Sequence, residues 1–133
     1  MNPALTILPR HIGALFATAL ALAACAPPPA LAGDDDVRVT GTCGAGATST
    51  LRLKPDDGEI ELRFEVEHRR VSGTWRIVIV QEGRVVWRGR TRARSGKVRV
   101  RRQLSDLSGV DRIRVHGRGP RGIRCAAAGT LAG

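Results

Sequence analysis

The stretch Glu59 to Glu67 constrains the fold more than any other. Ile60, Leu62, Phe64 and Val66 occupy every second position, and Glu59, Glu61, Arg63, Glu65 and Glu67 fill the positions between. Successive side chains on an extended strand point to opposite faces, so this pattern sorts into one apolar and one charged face. Four apolar residues at period two do not fit a helix. Shorter copies of the alternation recur. Val37 to Thr40 leads into Cys43; Thr48 to Lys54 turns Leu51 and Leu53 inward; Lys97 to Arg101 does the same with Val98 and Val100; Asp111 to His116 with Ile113 and Val115. Pro55-Asp56-Asp57-Gly58, Ser95-Gly96 and Gly117 to Gly122 supply turn chemistry between them. Leu104 to Gly109 reads as a loop held by two apolar anchors, Leu104 and Leu107. Ile123 to Leu131 makes a weak last strand that carries Cys125. With no segment of helical period, the chain is expected to be all-β: an antiparallel immunoglobulin-like β-sandwich of seven or eight short strands.

The centre of that sandwich is expected at Trp75 to Arg88, two apolar runs flanking Gln81-Glu82-Gly83. A three-residue loop ending in Gly suits a turn closed by a left-handed residue. Pairing Val80 with Arg84 sets Ile79 opposite Val85 and Ile77 opposite Trp87. Phe64, Trp75, Ile77, Ile79, Val85 and Trp87 are then the expected core, with Arg76 opposite Arg88 on the wet face.

The beginning of the chain reads as an export signal. Arg10 precedes the uncharged, mostly apolar run Ile12 to Ala24, and Ala30-Leu31-Ala32 has the small-x-small pattern of a cleavage site before Gly33. Thirteen residues cover only about 20 Å as helix, short for a membrane span. A second reading fits the same segment: Leu22-Ala23-Ala24-Cys25 resembles a bacterial lipobox, with residues 1–24 removed and Cys25 lipidated. The expected organisation is therefore a signal peptide at 1–32 (or a lipoprotein signal at 1–24), an acidic leader at 33–36 and the sandwich at 37–133. Both readings place the domain outside the cytoplasmic membrane, and membrane contact is expected only through such an anchor. Beyond Cys25 two cysteines remain, Cys43 and Cys125, an even pair that reads as one disulfide in an exported chain.

Charge is unevenly distributed. Of 22 Lys and Arg, all but Arg10 lie beyond residue 32, with all 12 Asp and Glu. Residues 33–67 are acid-rich, whereas from His68 onward the only acids are Glu82, Asp106 and Asp111. A strongly basic half suggests an anionic partner; the arginine preference of a high-GC genome accounts for the same composition. Arg88, Arg90, Arg92, Arg94, Arg99, Arg101, Arg112 and Arg114 are the candidate anion-binding residues. Teichoic acid, acidic polysaccharide or phospholipid headgroups would suit them through bidentate contacts. The opposing expectation is that Arg99, Arg101, Arg112 and Arg114 pair with the acidic strand Glu59 to Glu67. Nucleic acid is disfavoured by the export signal and by the lack of aromatic residues for base stacking.

No catalytic, cofactor-binding or metal-binding residues are expected. His68 and His116 have no second ligand at metal spacing, and no nucleophile motif is present. Glu67 and His68 are sequence neighbours and point apart on a strand. The glutamates of Glu59 to Glu67 are expected as a solvated face rather than a glycosidase pair.

An early Cys43, Gly73-Thr74 with Trp75 only two residues after the Gly, Gly83 in a hairpin turn, Ser95-Gly96 and a late Cys125 make up an outline. In it the mature region resembles small exported β-sandwich proteins of unknown function from high-GC bacteria. The resemblance implies a disulfide joining the terminal strands and brings no activity. The expected function is an exported, non-catalytic binding or structural module, with no cofactor and an unknown protein partner. The alternative is a basic-face binder of an anionic envelope polymer or surface.

Overall fold

The computed structural model describes residues 36–132; the signal segment, Cys25 and the first three residues of the acidic leader lie outside the described residues. Eight strands follow one another: β1 (Val37–Cys43), β2 (Thr48–Asp56), β3 (Glu59–Glu67), β4 (Thr74–Gln81), β5 (Arg84–Arg92), β6 (Lys97–Ser105), β7 (Val110–Arg118) and β8 (Arg124–Ala132). All neighbours are antiparallel, in the order β5-β4-β7-β8-β1-β2-β3-β6. β1 divides this run. Val37 to Gly41 pair with β2, whereas Thr42 and Cys43 pair with β8. The result is a sandwich of sheet A (β1, β2, β3, β6) on sheet B (β8, β7, β4, β5), with β1 passing between them.

The passage depends on Gly41. A Cβ there would lie 2.1 Å from the Ala126 carbonyl oxygen and 2.5 Å from Ser49 Oγ, so only glycine fits where the strand changes sheets. Two residues further on, Cys43 and Cys125 are bonded across β1 and β8. The bridge staples the first strand to the last, as the outline implied. Closing a loop of 82 residues limits the unfolded chain by about 4–5 kcal/mol on a chain-entropy basis.

The alternation read from the sequence lines the core. Leu51, Leu53, Ile60, Leu62, Phe64, Val66, Val98 and Val100 project from sheet A; Trp75, Ile77, Ile79, Ile113, Val115 and Cys125 meet them from sheet B, all buried. The Trp75 indole N–H, carried into the core with the ring, donates to the Ser72 carbonyl at 3.1 Å, which satisfies its one polar group.

The β4–β5 hairpin departs from the expected register. Its loop has two residues, Glu82 and Gly83, both at positive φ (47° and 76°), and Gln81 pairs with Arg84. A two-residue turn with both central residues at positive φ matches the right-handed twist of the flanking strands. The shifted register would turn Trp87 out of the core, but a bulge between Val85 and Trp87 absorbs one residue, and Trp87 comes to face Ile79. Val85 is therefore not a core residue. It lies opposite Val80, 45 % exposed. Trp87 points inward but is only half-buried because β5 is an edge strand; Arg102 of β6, the other edge, stacks over its ring at 4.1 Å. Arg76 faces Arg90 rather than Arg88.

The hairpin also buries Gln81, whose Nε2 donates to Asp111 Oδ1 (2.6 Å) and to the Ser105 carbonyl (2.7 Å). Asp111, fully buried, accepts a second bond from the Leu107 N–H. This polar plug lies where Leu104 and Leu107 were expected to anchor a loop. Leu104 instead belongs to β6 and is buried, and Leu107 is exposed. Partial burial and the Asp111 carboxylate beside it push the Asp106 carboxyl above the usual range.

Candidate anion-binding face

Strand order decides which arginines become neighbours, and it brings together a set different from the one suggested by sequence proximity. On the outer face of sheet B, Arg90 of β5 lies opposite Arg76 of β4, Arg76 opposite Arg118 of β7, and Arg118 opposite Arg124 of β8. Four exposed arginines thus form one row across four strands. The next row holds Arg88, Val78, His116 and Ala126, and the one after it Val85, Val80, Arg114 and Ala128. Arg92 extends the β5 side opposite Thr74. Among the described residues, the only carboxylate ion pair on this face joins Glu82 to Arg112, at 3.3 Å.

Sheet A carries a matching row, Arg38, Arg52, Arg63 and Arg101 on β1, β2, β3 and β6. There carboxylates meet three of the four arginines. Glu61 accepts from both Arg63 and Arg101, Asp36 from Arg52, and Glu65 from Arg99 at 2.8 Å; Lys97 sits 2.9 Å from Glu67. The Arg101 and Arg63 guanidiniums hold the Glu61 carboxyl below its ordinary range, and Arg52 does the same to Asp36.

The eight candidate arginines therefore separate. Arg88, Arg90, Arg92 and Arg114 lie on the outer face of sheet B. Arg94 lies at the β5–β6 connection, bridged to Lys97 through the backbone. Arg99 and Arg101 are ion-paired on sheet A, as the opposing expectation held, and do not adjoin Arg112 and Arg114, which stand on the other sheet. Arg112 pairs with Glu82, not with the acidic strand. Arg76, Arg118 and Arg124 were not among the candidates. Arg76 lies some forty residues before Arg118 and Arg124, and only the β4-β7-β8 order aligns the three.

Beside the row the face sinks. Val78 and Ala126 are short side chains between long arginines, and a concavity of about 590 Å³ opens there, bordered by Arg76, Arg118, Arg124 and His116. His68 sits in the β3–β4 connection, where its Nδ1 accepts the Arg70 N–H at 3.1 Å. Among the described residues no group of His, Cys, Asp and Glu is placed to hold a metal ion.

No family model, curated protein or solved structure matches the chain.

Proposed function

We propose that this protein is an exported, non-catalytic binding module that holds an anionic polymer or surface of the cell envelope on the outer face of sheet B. One observation carries the reading: the row Arg90, Arg76, Arg118 and Arg124 has no carboxylate partner among the described residues. Like charges directly opposite on neighbouring strands are destabilising. Sheet A offsets the same arrangement with Glu61 and Asp36, so genome-wide arginine preference does not account for leaving it unmet on one face alone. A local rule broken without compensation is expected where a ligand supplies the missing charge.

Export is supported by the signal-like segment 1–32, by the Cys43–Cys125 disulfide and by the outline in which the mature region resembles small exported proteins of high-GC bacteria. With release after Ala32 the ligand is sought in the wall or medium; with a lipid on Cys25, at the membrane surface. A protein partner is the second reading, favoured by Val85 and Val86, each 45 % exposed on the edge strand β5.

The test is retention on immobilised teichoic acid or acidic polysaccharide as salt rises. Exposed charges are screened over about 10 Å at 0.1 M salt, so retention is expected to collapse between low and moderate ionic strength. Retention indifferent to salt contradicts the proposal.

A further inference from the structure

We infer that the concavity beside the arginine row is a subsite for a phosphate monoester, so that the polymer recognised by this face carries phosphate as terminal or pendant monoester groups. The inference rests on the anionic-polymer reading above and specifies the anion. The cavity of about 590 Å³ is of the size that seats a small ligand. Arg76, Arg118 and Arg124 stand on three consecutive strands along its border. Neighbouring strands are about 4.8 Å apart, which puts the outer two backbones roughly 10 Å from each other. Side chains as long as arginine reach a common centre over that distance.

The count of donors chooses the anion. A carboxylate has two oxygens and one negative charge, which a single guanidinium fork satisfies. It would leave two of the three arginines uncompensated. A phosphate monoester presents three acceptor oxygens and a charge of about −1.5 to −2 at neutral pH, matching the three guanidiniums carried on the border. The floor adds a constraint. Val78 and Ala126 offer no side-chain hydrogen bonds, so the ester's organic part lies over an aliphatic patch, with the polar side chains of Thr42 and His116 at its edge. Arg90 belongs to the row but not to the cavity border, so it contacts the next anionic group of the polymer and not the seated one.

Glycerol phosphate and acetate, each titrated into the exported protein at matched ionic strength and followed by backbone amide NMR shifts, test this. Glycerol phosphate is expected to give saturable shifts at Val78, Arg118 and Ala126, and acetate none beyond those of sodium chloride. Arg118→Gln and Arg124→Gln should each weaken glycerol phosphate by about tenfold, the loss of one charge-assisted hydrogen bond. Arg90→Gln should leave that affinity in place while lowering retention on the polymer. Linear, unsaturated shifts with both anions overturn the subsite, as does equal weakening by Arg90→Gln and Arg118→Gln. If retention on the polymer persists while glycerol phosphate fails to saturate, the subsite alone is wrong; if retention is absent too, the face assignment falls with it.

Discussion

On sheet A, Arg63 stands between Arg52 and Arg101, and two carboxylates flanking the row, Asp36 and Glu61, pair with three of its four arginines. On sheet B, Arg76 stands between Arg90 and Arg118, and its neighbours along the strand are Thr74 and Val78 to either side on the same face. The two faces are built from the same alternation around one core and use the same residue at the same density. What differs is the partner. On sheet A charge serves the fold internally, whereas on sheet B it is left for something outside the chain. A count of arginines does not reveal this difference; pairing does.

Because both faces rest on one core, the largest expected effects are shared. Trp75→Ala beneath sheet B and Phe64→Ala beneath sheet A should each cost about 3–5 kcal/mol, measured by urea unfolding. A loss below about 1 kcal/mol at either position would show that the sheets do not pack as a unit.

Next is a change that makes sheet A resemble sheet B. Glu61→Gln withdraws the acceptor shared by Arg63 and Arg101. Stability at pH 7 should fall, by less than for the core variants. The pH dependence follows from the lowered Glu61 carboxyl. A carboxyl depressed in the folded state contributes its stability in full above the unfolded value of about 4.3 and loses it as pH falls through the folded value. The acid limb of the wild-type stability curve should therefore be steeper than that of Glu61→Gln. Parallel acid limbs would show that the Glu61 pairs contribute nothing.

The smallest effect has the opposite sign. Arg118→Gln removes two like-charge neighbours on sheet B and should stabilise the protein by about 0.5 kcal/mol at low salt. The gain should shrink as salt screens the row. The matching change Arg63→Gln on sheet A should not stabilise. If both variants shift the urea midpoint alike, the contrast between the faces is not energetic.

Much of the fold was legible because period-two patterning is a local signal. Glu59 to Glu67 fixed β3 and its buried face, and the cysteine pair fixed the staple between the terminal strands. The hairpin register was not legible, since Glu82 at positive φ is uncommon for a non-glycine residue and the Val86 bulge leaves no mark in composition. Leu104 read as loop because Arg101-Arg102-Gln103 interrupts the alternation, yet β3 pairs with β6 as far as Ser105. The basic face was half legible. Arg88, Arg90 and Arg92 stand out as a run, but Arg76, Arg118 and Arg124 become neighbours only through the order β4-β7-β8. Conversely, Arg99 and Arg101 looked accessible until β6 was placed beside the glutamates of β3.

The most direct measurement compares the salt midpoint for elution from immobilised teichoic acid for three proteins: the unaltered chain, Arg76→Gln/Arg118→Gln, and Arg52→Gln/Arg63→Gln. Both double variants remove two positive charges from an arginine row, so net charge is matched. The sheet B pair should elute at distinctly lower salt, and the sheet A pair close to the unaltered protein. Equal shifts for the two pairs would mean that retention follows net charge alone, and that the face of sheet B holds no special place in binding.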